Sequence, residues 1–306
     1  MEYFNIALEK LFTGGFDVDT LDIRAALAEA DGNDPATQID ATTLSAFYSG
    51  AGFAGSEFDG ANYARQVLAG VADTRDDTTD LVKLTCDDYT ISSLGAGSNA
   101  ISGCLIFAHD TDDTASWPIC WLPYSANQSP SGADFPVSFH ADGFFKVTQA
   151  SGASDVTFFN VMKSRMVNGL FNFTSDDIRV AVSMNDSTND CMTETDVDTL
   201  GAFFSGSGFS TVEFDGANYA RQTLATKSVS TEYASDLVRL VCDDASIASL
   251  GAGTYKANGV LVYLHVSSDT DSIPLLYRKI SPEQTPDGST FNISFGTEKL
   301  CRIAKA

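Results

Sequence analysis

Basic residues are scarce in this chain of 306 residues: 18 lysines and arginines stand against 41 acids, a formal net charge of -23. A molecule so acidic repels phosphate backbones and anionic bilayers, which argues against nucleic acid and membrane as partners. Long hydrophobic runs are missing as well, since no stretch approaches the roughly 18 apolar residues needed to span a bilayer. The opening MEYFNIALEK has neither a basic flank nor a small-residue cleavage site, so a soluble, unsecreted chain is expected. Histidines number three and cysteines six, with no C-x-x-C pair; the thiols sit in apolar runs, as free buried cysteines do in a reducing compartment. No H-E-x-x-H, G-x-S-x-G elbow or phosphate-binding glycine loop occurs, so neither an enzyme nor a cofactor is expected. Disorder is excluded despite the charge, because 43% hydrophobic and 11% aromatic content can fill a core.

What is present is a repeat. Residues 44–66, LSAFYSGAGFAGSEFDGANYARQ, return at 200–222 as LGAFFSGSGFSTVEFDGANYARQ, with 17 of 23 positions identical at an offset of 156. The same offset pairs DLVKLTCDD with DLVRLVCDD, SLGAG with SLGAG, and GCLIFAH with GVLVYLH. Before residue 44 the offset is 155, aligning Phe4-Asn5, Gly14, Phe16 and Asp22-Ile23-Arg24 with Phe159-Asn160, Gly169, Phe171 and Asp177-Ile178-Arg179. A period this long predicts tandem domains, 1–149 and 157–306, joined by a short polar linker at 150–156, each able to bury a core.

In each copy an opening stripe, Tyr3, Phe4, Ala7, Leu8 and Leu11, or Phe158, Phe159, Met162 and Met166, has helical spacing and stops at glycine. Everything afterwards reads as strand, including LDIRAALA, NYARQVLA, LVKLTC, ISGCLIFAH and ICWLPY, with no second helical segment. The expected fold is mainly β: two antiparallel β-sandwich or jelly-roll-like domains, each with one short N-terminal helix. Asp59-Gly60 and Asp215-Gly216 read as tight turns that need positive φ and set strand register.

Candidate chemistry is thin. His109 and His265 end equivalent strands beside acidic loops, but no second histidine lies near, so a rim position is expected rather than a metal site. The loop Asp110-Thr111-Asp112-Asp113 lacks the closing glutamate of a calcium loop and reads as a solvated hairpin turn. Arg65 and Arg221 lie inside the most strictly retained segment and read as structural ion pairs, with Asp59 or Asp87 as partners for Arg65. Trp117, Trp121 and Tyr124 are the only aromatics that suggest a sugar platform, and their alternation with Ile119 and Leu122 favours core.

The order FNIALEKLFTGGFDVDTLDIRAAL, EFDGANYARQVLAG, DLVKLTCDD, SLGAG, GCLIFAH and FHADGFFKV resembles small structural proteins of tailed-phage virions, the head decoration or cement proteins. The resemblance covers nearly the whole chain, once per copy; the duplication departs from the usual one-domain pattern. It implies a virion protein, made in the host cytoplasm, whose partners are the major capsid protein and other copies of itself on the shell. The alternatives are a carbohydrate- or receptor-binding module of a fibre, neck or tail, and a hydrolase on a jelly-roll scaffold. Residues 1–156 carry 6 basic and 23 acidic side chains, net -17, and residues 157–306 carry 12 and 18, net -6. Lys299, Arg302 and Lys305 crowd the C-terminus and are the candidate partner contacts. The second copy is therefore expected to supply more of the contact area, and removing first-copy acids such as Asp76, Asp77 and Asp80 is expected to matter little for attachment. Equal contact through a pseudo-twofold pair, as a duplicated former dimer would make, is the competing expectation.

Overall fold

The computed structural model describes residues 1–30, 38–49, 57–141, 143–148, 156–184, 192, 195–205, 212–232, 237–295 and 300–304. The chain is mainly β, 41% strand and 12% helix, built from several antiparallel sheets. The first half runs β1 (Glu2–Tyr3), α1 (Asn5–Thr13), β2 (Asp22–Glu29), α2 (Leu44–Ser49), β3 (Gln66–Val67), β4 (Ala72–Asp76), β5 (Leu81–Thr85), β6 (Tyr89–Ile91), β7 (Ile101–His109), β8 (Trp117–Gln128), β9 (Phe135–Val137) and β10 (Phe145–Val147). The second half repeats it: β11 (Val156–Phe158), α3 (Asn160–Val167), β12 (Ile178–Met184), α4 (Leu200–Ser205), β13 (Val212–Glu213), β14 (Gln222–Thr223), β15 (Ser228–Glu232), β16 (Leu237–Val241), β17 (Ala245–Ile247), β18 (Ala257–Leu264), β19 (Ile273–Gln284), β20 (Phe291–Ile293) and β21 (Cys301–Ala304).

Each half has a large sheet, β1-β8-β7-β2-β3 or β11-β19-β18-β12-β13 with β14 beside β12, and a three-stranded one, β10-β5-β4 or β15-β16-β21. One face of the first large sheet, through Ile23, Ala25, Leu27, Cys104 and Ile106, lines the main core, while Ala26, Ala28, Leu105 and Phe107 pack under Leu44 and Phe47 of α2. Burial on both faces explains why DIRAALAE and GCLIFAH are continuous apolar runs instead of alternating ones.

Three expectations need correction. A second helix exists in each copy, α2 and α4, started by the Thr43 and Thr199 hydroxyls, which accept from the amides of Ala46 (3.0 Å) and Ala202 (3.1 Å). NYARQVLA is mostly loop, with only Gln66–Val67 in a strand. Positive φ falls on Asn62 and Asn218 (64° each), not on Asp59-Gly60 or Asp215-Gly216. Gly60 is needed for close approach instead: a Cβ there would land on the Gly95 carbonyl oxygen and the Phe58 ring, and Gly216 stands likewise against Gly251 and Phe214.

The halves share one interior. A single apolar cluster runs from Leu8, Leu11 and Phe12 of α1 through Met162, Met166 and Val167 of α3 to Leu240 and Leu300. Helix α1 packs on β15 and β16, and α3 packs on β4 and β5. The join is reciprocal. Val18 N–H donates to Val167 O (2.9 Å) and Phe173 N–H to Phe12 O (2.8 Å), while Thr13 bridges Asn172 and Asp17 bridges Asn168. Each pair swaps into the other when 155 is added to the first-half number, the signature of a twofold relation between copies.

Candidate functional site

The retained segment EFDGANYARQ forms the same knot twice. Arg65 binds Glu57 through Nε (2.9 Å) and Nη2 (2.6 Å), and Asp113 through Nη1 (2.5 Å) and Nη2 (2.8 Å). Arg221 repeats this with Glu213 (2.7 and 2.6 Å) and Asp269 (2.6 and 2.8 Å). The partners are thus not Asp59 or Asp87, as the sequence had suggested, but a carboxylate eight residues back and one on the β7–β8 loop. Each guanidinium also lies over a ring, Phe107 at 5.4 Å and Tyr263 at 5.5 Å. Hydrogen bonding to Arg65 holds the Asp113 carboxyl below the usual range, and Arg221 does the same for Asp269. Tyr63 OH donates to Glu57 (2.7 Å) and accepts from Leu27 N–H (3.0 Å); burial, then the Glu57 charge, pushes its phenol far up.

The rest of the segment works locally too. Asp59 accepts from the amide (2.7 Å) and hydroxyl (2.6 Å) of Ser98, Asp215 from those of Thr254 (2.7 and 2.6 Å). Asn62 and Asn218 donate to the carbonyls of Ser93 and Ser249 (2.8 Å each). Glycine, asparagine, tyrosine, arginine and both acids are therefore occupied in tying the loop at 93–98 and the β7–β8 turn to the sheet edge.

The other candidates fall as follows. His109, the last residue of β7, has Nδ1 3.3 Å from Ser116 Oγ, and His265, the residue after β18, has Nδ1 3.4 Å from Ser272 Oγ. Asp112 accepts from the amides of Thr114 (2.8 Å) and Ala115 (3.1 Å), so the acidic loop is a turn. No group of three or more potential metal ligands converges among the described residues. Trp121 is 2% exposed, Trp117 packs edge-on against Phe16 at 5.7 Å and Tyr124 against Phe135 at 6.3 Å, which leaves no open platform from these three. Cys86, Cys104, Cys120 and Cys242 are free thiols; Cys191 and the Cys301 side chain lie outside the described residues. So do Lys299, Lys305 and the Arg302 side chain, although the Arg302 backbone pairs with Arg239 in β21, the position Lys146 holds opposite Lys83.

One polar cluster had no signal in either copy alone, because it forms between them. Lys163 on α3, 1% exposed, donates to the Asp80 carbonyl (2.5 Å) and to Asn160 Oδ1 (2.8 Å). Asn160 Nδ2 reaches Asp196 (2.9 Å), Asp77 (3.1 Å) and Asp80 (3.2 Å), and Thr195 donates to the Asp80 carboxylate. Arg75 pairs with Asp77 and Asp198 and donates to Asp196 O (2.8 Å). Burial drives the Lys163 ammonium down to about 8, against the pull of Asp80 and Asp196. Asp77 and Asp80 are therefore structural members of the seam.

No protein-family profile, curated protein or solved structure matches the chain. Among the described residues no helix is long and apolar enough to cross a membrane.

Proposed function

We propose that the chain is a non-enzymatic structural protein of a tailed-phage virion, bound to the outer capsid surface as a decoration or cement protein that stabilises the head. In this reading 1–149 and 157–306 are two β-sandwich or jelly-roll-like domains joined by 150–156, the major capsid protein is the partner, and synthesis is in the host cytoplasm. The observation that carries it is how the repeated polar residues are used. Every charged side chain of the EFDGANYARQ motif is committed to an internal tie in both copies, which favours a rigid body that binds by its surface over a site that turns over substrate. The acidic field supports the reading as well, since like charge keeps free copies apart until a local patch meets its complement.

The test is co-sedimentation with emptied shells of the phage that encodes the chain, alongside a glycan panel. Saturable binding that raises the shell's melting temperature is expected; glycan binding without shell binding would replace the reading with the receptor-binding one. Within the same assay, Lys299→Gln, Arg302→Gln and Lys305→Gln together should weaken attachment and flatten its salt dependence. Exposed acids outside the seam, Asp19→Asn and Asp110→Asn, serve as the indifferent control.

A further inference from the structure

The loop that follows β8 in the first half returns after β19 in the second, with the same backbone and different side-chain chemistry. At 286–289 the turn is held from both sides, Gly288 N–H donating to Leu250 O (2.8 Å) and Leu250 N–H to Ser289 O (3.0 Å), while Asn292 of β20 pairs with Ser246 of β17. Gly132, Leu94 and Ala133 fix the first-half turn in the same way (2.8 and 3.0 Å). The side chains then part company. In the first half Gln128 Nε2 closes on Ala126 O (2.6 Å), Asp134 Oδ1 accepts from Ser93 N–H (3.0 Å), and Pro136 has no hydrogen-bonding side chain. Gln284, Thr290 and Asn292 stand at those three places, and none of their side chains bonds within the described residues. Together with Thr285 they line a cavity of about 400 Å³ between the end of β19 and β20.

We infer that this cavity is a binding site for a neutral mono- or disaccharide. Its size falls within the range of about 300–1,000 Å³ usual for small-molecule sites. The carboxamides of Gln284 and Asn292 and the hydroxyls of Thr285 and Thr290 each donate and accept, which matches the paired donor and acceptor roles of neighbouring sugar hydroxyls. The backbone beneath them is already tied, so little main-chain order has to be gained when a ligand arrives. Asp287 is the one charged residue of the lining, and hydrogen bonding from Ser289 holds its carboxyl below the usual range. At neutral pH it is therefore an anion that accepts from a hydroxyl and repels phosphates and acidic sugars. Phe291, 7% exposed, offers the C–H face of a sugar only an edge, so the amides set selectivity and the affinity is modest. With its glutamine closed and proline at 136, the first half keeps the turn without the site, and the chain binds one sugar.

The test follows the side-chain amide signals of Gln284 and Asn292 by proton–nitrogen NMR of the whole protein, titrated in turn with maltose, cellobiose, lactose and di-N-acetylchitobiose. Saturable shifts of both signals with at least one of these sugars, and none with glucuronic acid or inorganic phosphate, are expected. Asn292→Pro, the residue the first half carries there, combined with Gln284→Ala should weaken binding about tenfold or more with an unchanged circular dichroism spectrum. Should that pair disturb the fold, Gln284→Ala alone, at an exposed strand end, carries the same expectation in direction. No saturable shift with any of the four sugars, equal shifts with the two anions, or full affinity in a folded variant would overturn the inference. Shell attachment is a separate claim: shell binding without sugar shifts removes the site alone, and sugar binding without shell binding removes the decoration reading and leaves the site.

Discussion

Replacing Arg65 by methionine keeps the aliphatic stem on the Phe107 ring and removes only the guanidinium, so it isolates the value of the knot. The Arg65 and Glu57 side chains are 23% and 26% exposed, and their two-pronged contact should contribute ~1.5–2 kcal/mol. Asp113 is 40% exposed, and solvent screening cuts its share to ~0.5–1 kcal/mol. Arg65→Met should therefore lower the unfolding free energy by ~2–3 kcal/mol, a fall in melting temperature of about 4–6 °C for a chain of this size. Urea unfolding followed by tryptophan fluorescence reads the first quantity, and calorimetry the second. The acid limb gives a sharper check. Asp113 has a depressed folded-state pKa, so its contribution is complete above the unfolded value and is lost as pH falls through the folded one. The gap between wild type and Arg65→Met should thus narrow as pH drops from 5 towards 2. A loss under ~0.5 kcal/mol at pH 7, or a gap that stays constant in acid, would refute the reasoning. Arg221→Met should show a matching loss, because its ligands and ring contact are the same.

Gly60→Val should cost at least ~2 kcal/mol and lower soluble yield, since the Gly95 carbonyl and Phe58 ring have no room to retreat; a folded variant that lost only shell binding would make the turn a contact loop. Lys163 has a folded pKa of about 8, below the unfolded 10.5, so between those values the unfolded chain holds the extra proton and this lysine's contribution to stability rises with pH. Relative to Lys163→Met, wild type should gain up to about 1.4 kcal/mol per pH unit from pH 8 to 9.5, and a flat difference would show that the carboxylates of Asp80 and Asp196 cancel the cost of burying the ammonium. Thiol titration of denatured, unreduced protein should count all six cysteines, and four or fewer would reveal a disulfide.

How much of this was legible depends on the range over which each signal acts. Helix α1 could be read because Phe4, Ala7, Leu8 and Leu11 repeat at helical spacing and Gly14, at φ 71°, ends it. Helix α2 could not be read from periodicity, having only six residues, yet Thr43 before LSAF and Thr199 before LGAF were cap signals that would have found both short helices. The arginines were recognised as ion-pairing, but Asp113 lies 48 residues away in sequence and meets Arg65 only once β7 and β8 pair. The repeat itself held that answer, since Glu57 and Asp113 recur as Glu213 and Asp269 at the common offset. The seam was beyond reach: Lys163 in place of Leu8 looks like drift in one helix until the partner half supplies Asp80.

The shared interior bears on how the protein comes apart. Since α1 rests on the second half's β15 and β16, and α3 on the first half's β4 and β5, neither three-stranded sheet keeps its cover when the other half opens. The halves should then melt as one cooperative unit, with equal calorimetric and van't Hoff enthalpies. A pull between the chain ends would meet both halves' resistance together, so the molecule would give way in a single event where two independent beads would yield one after the other.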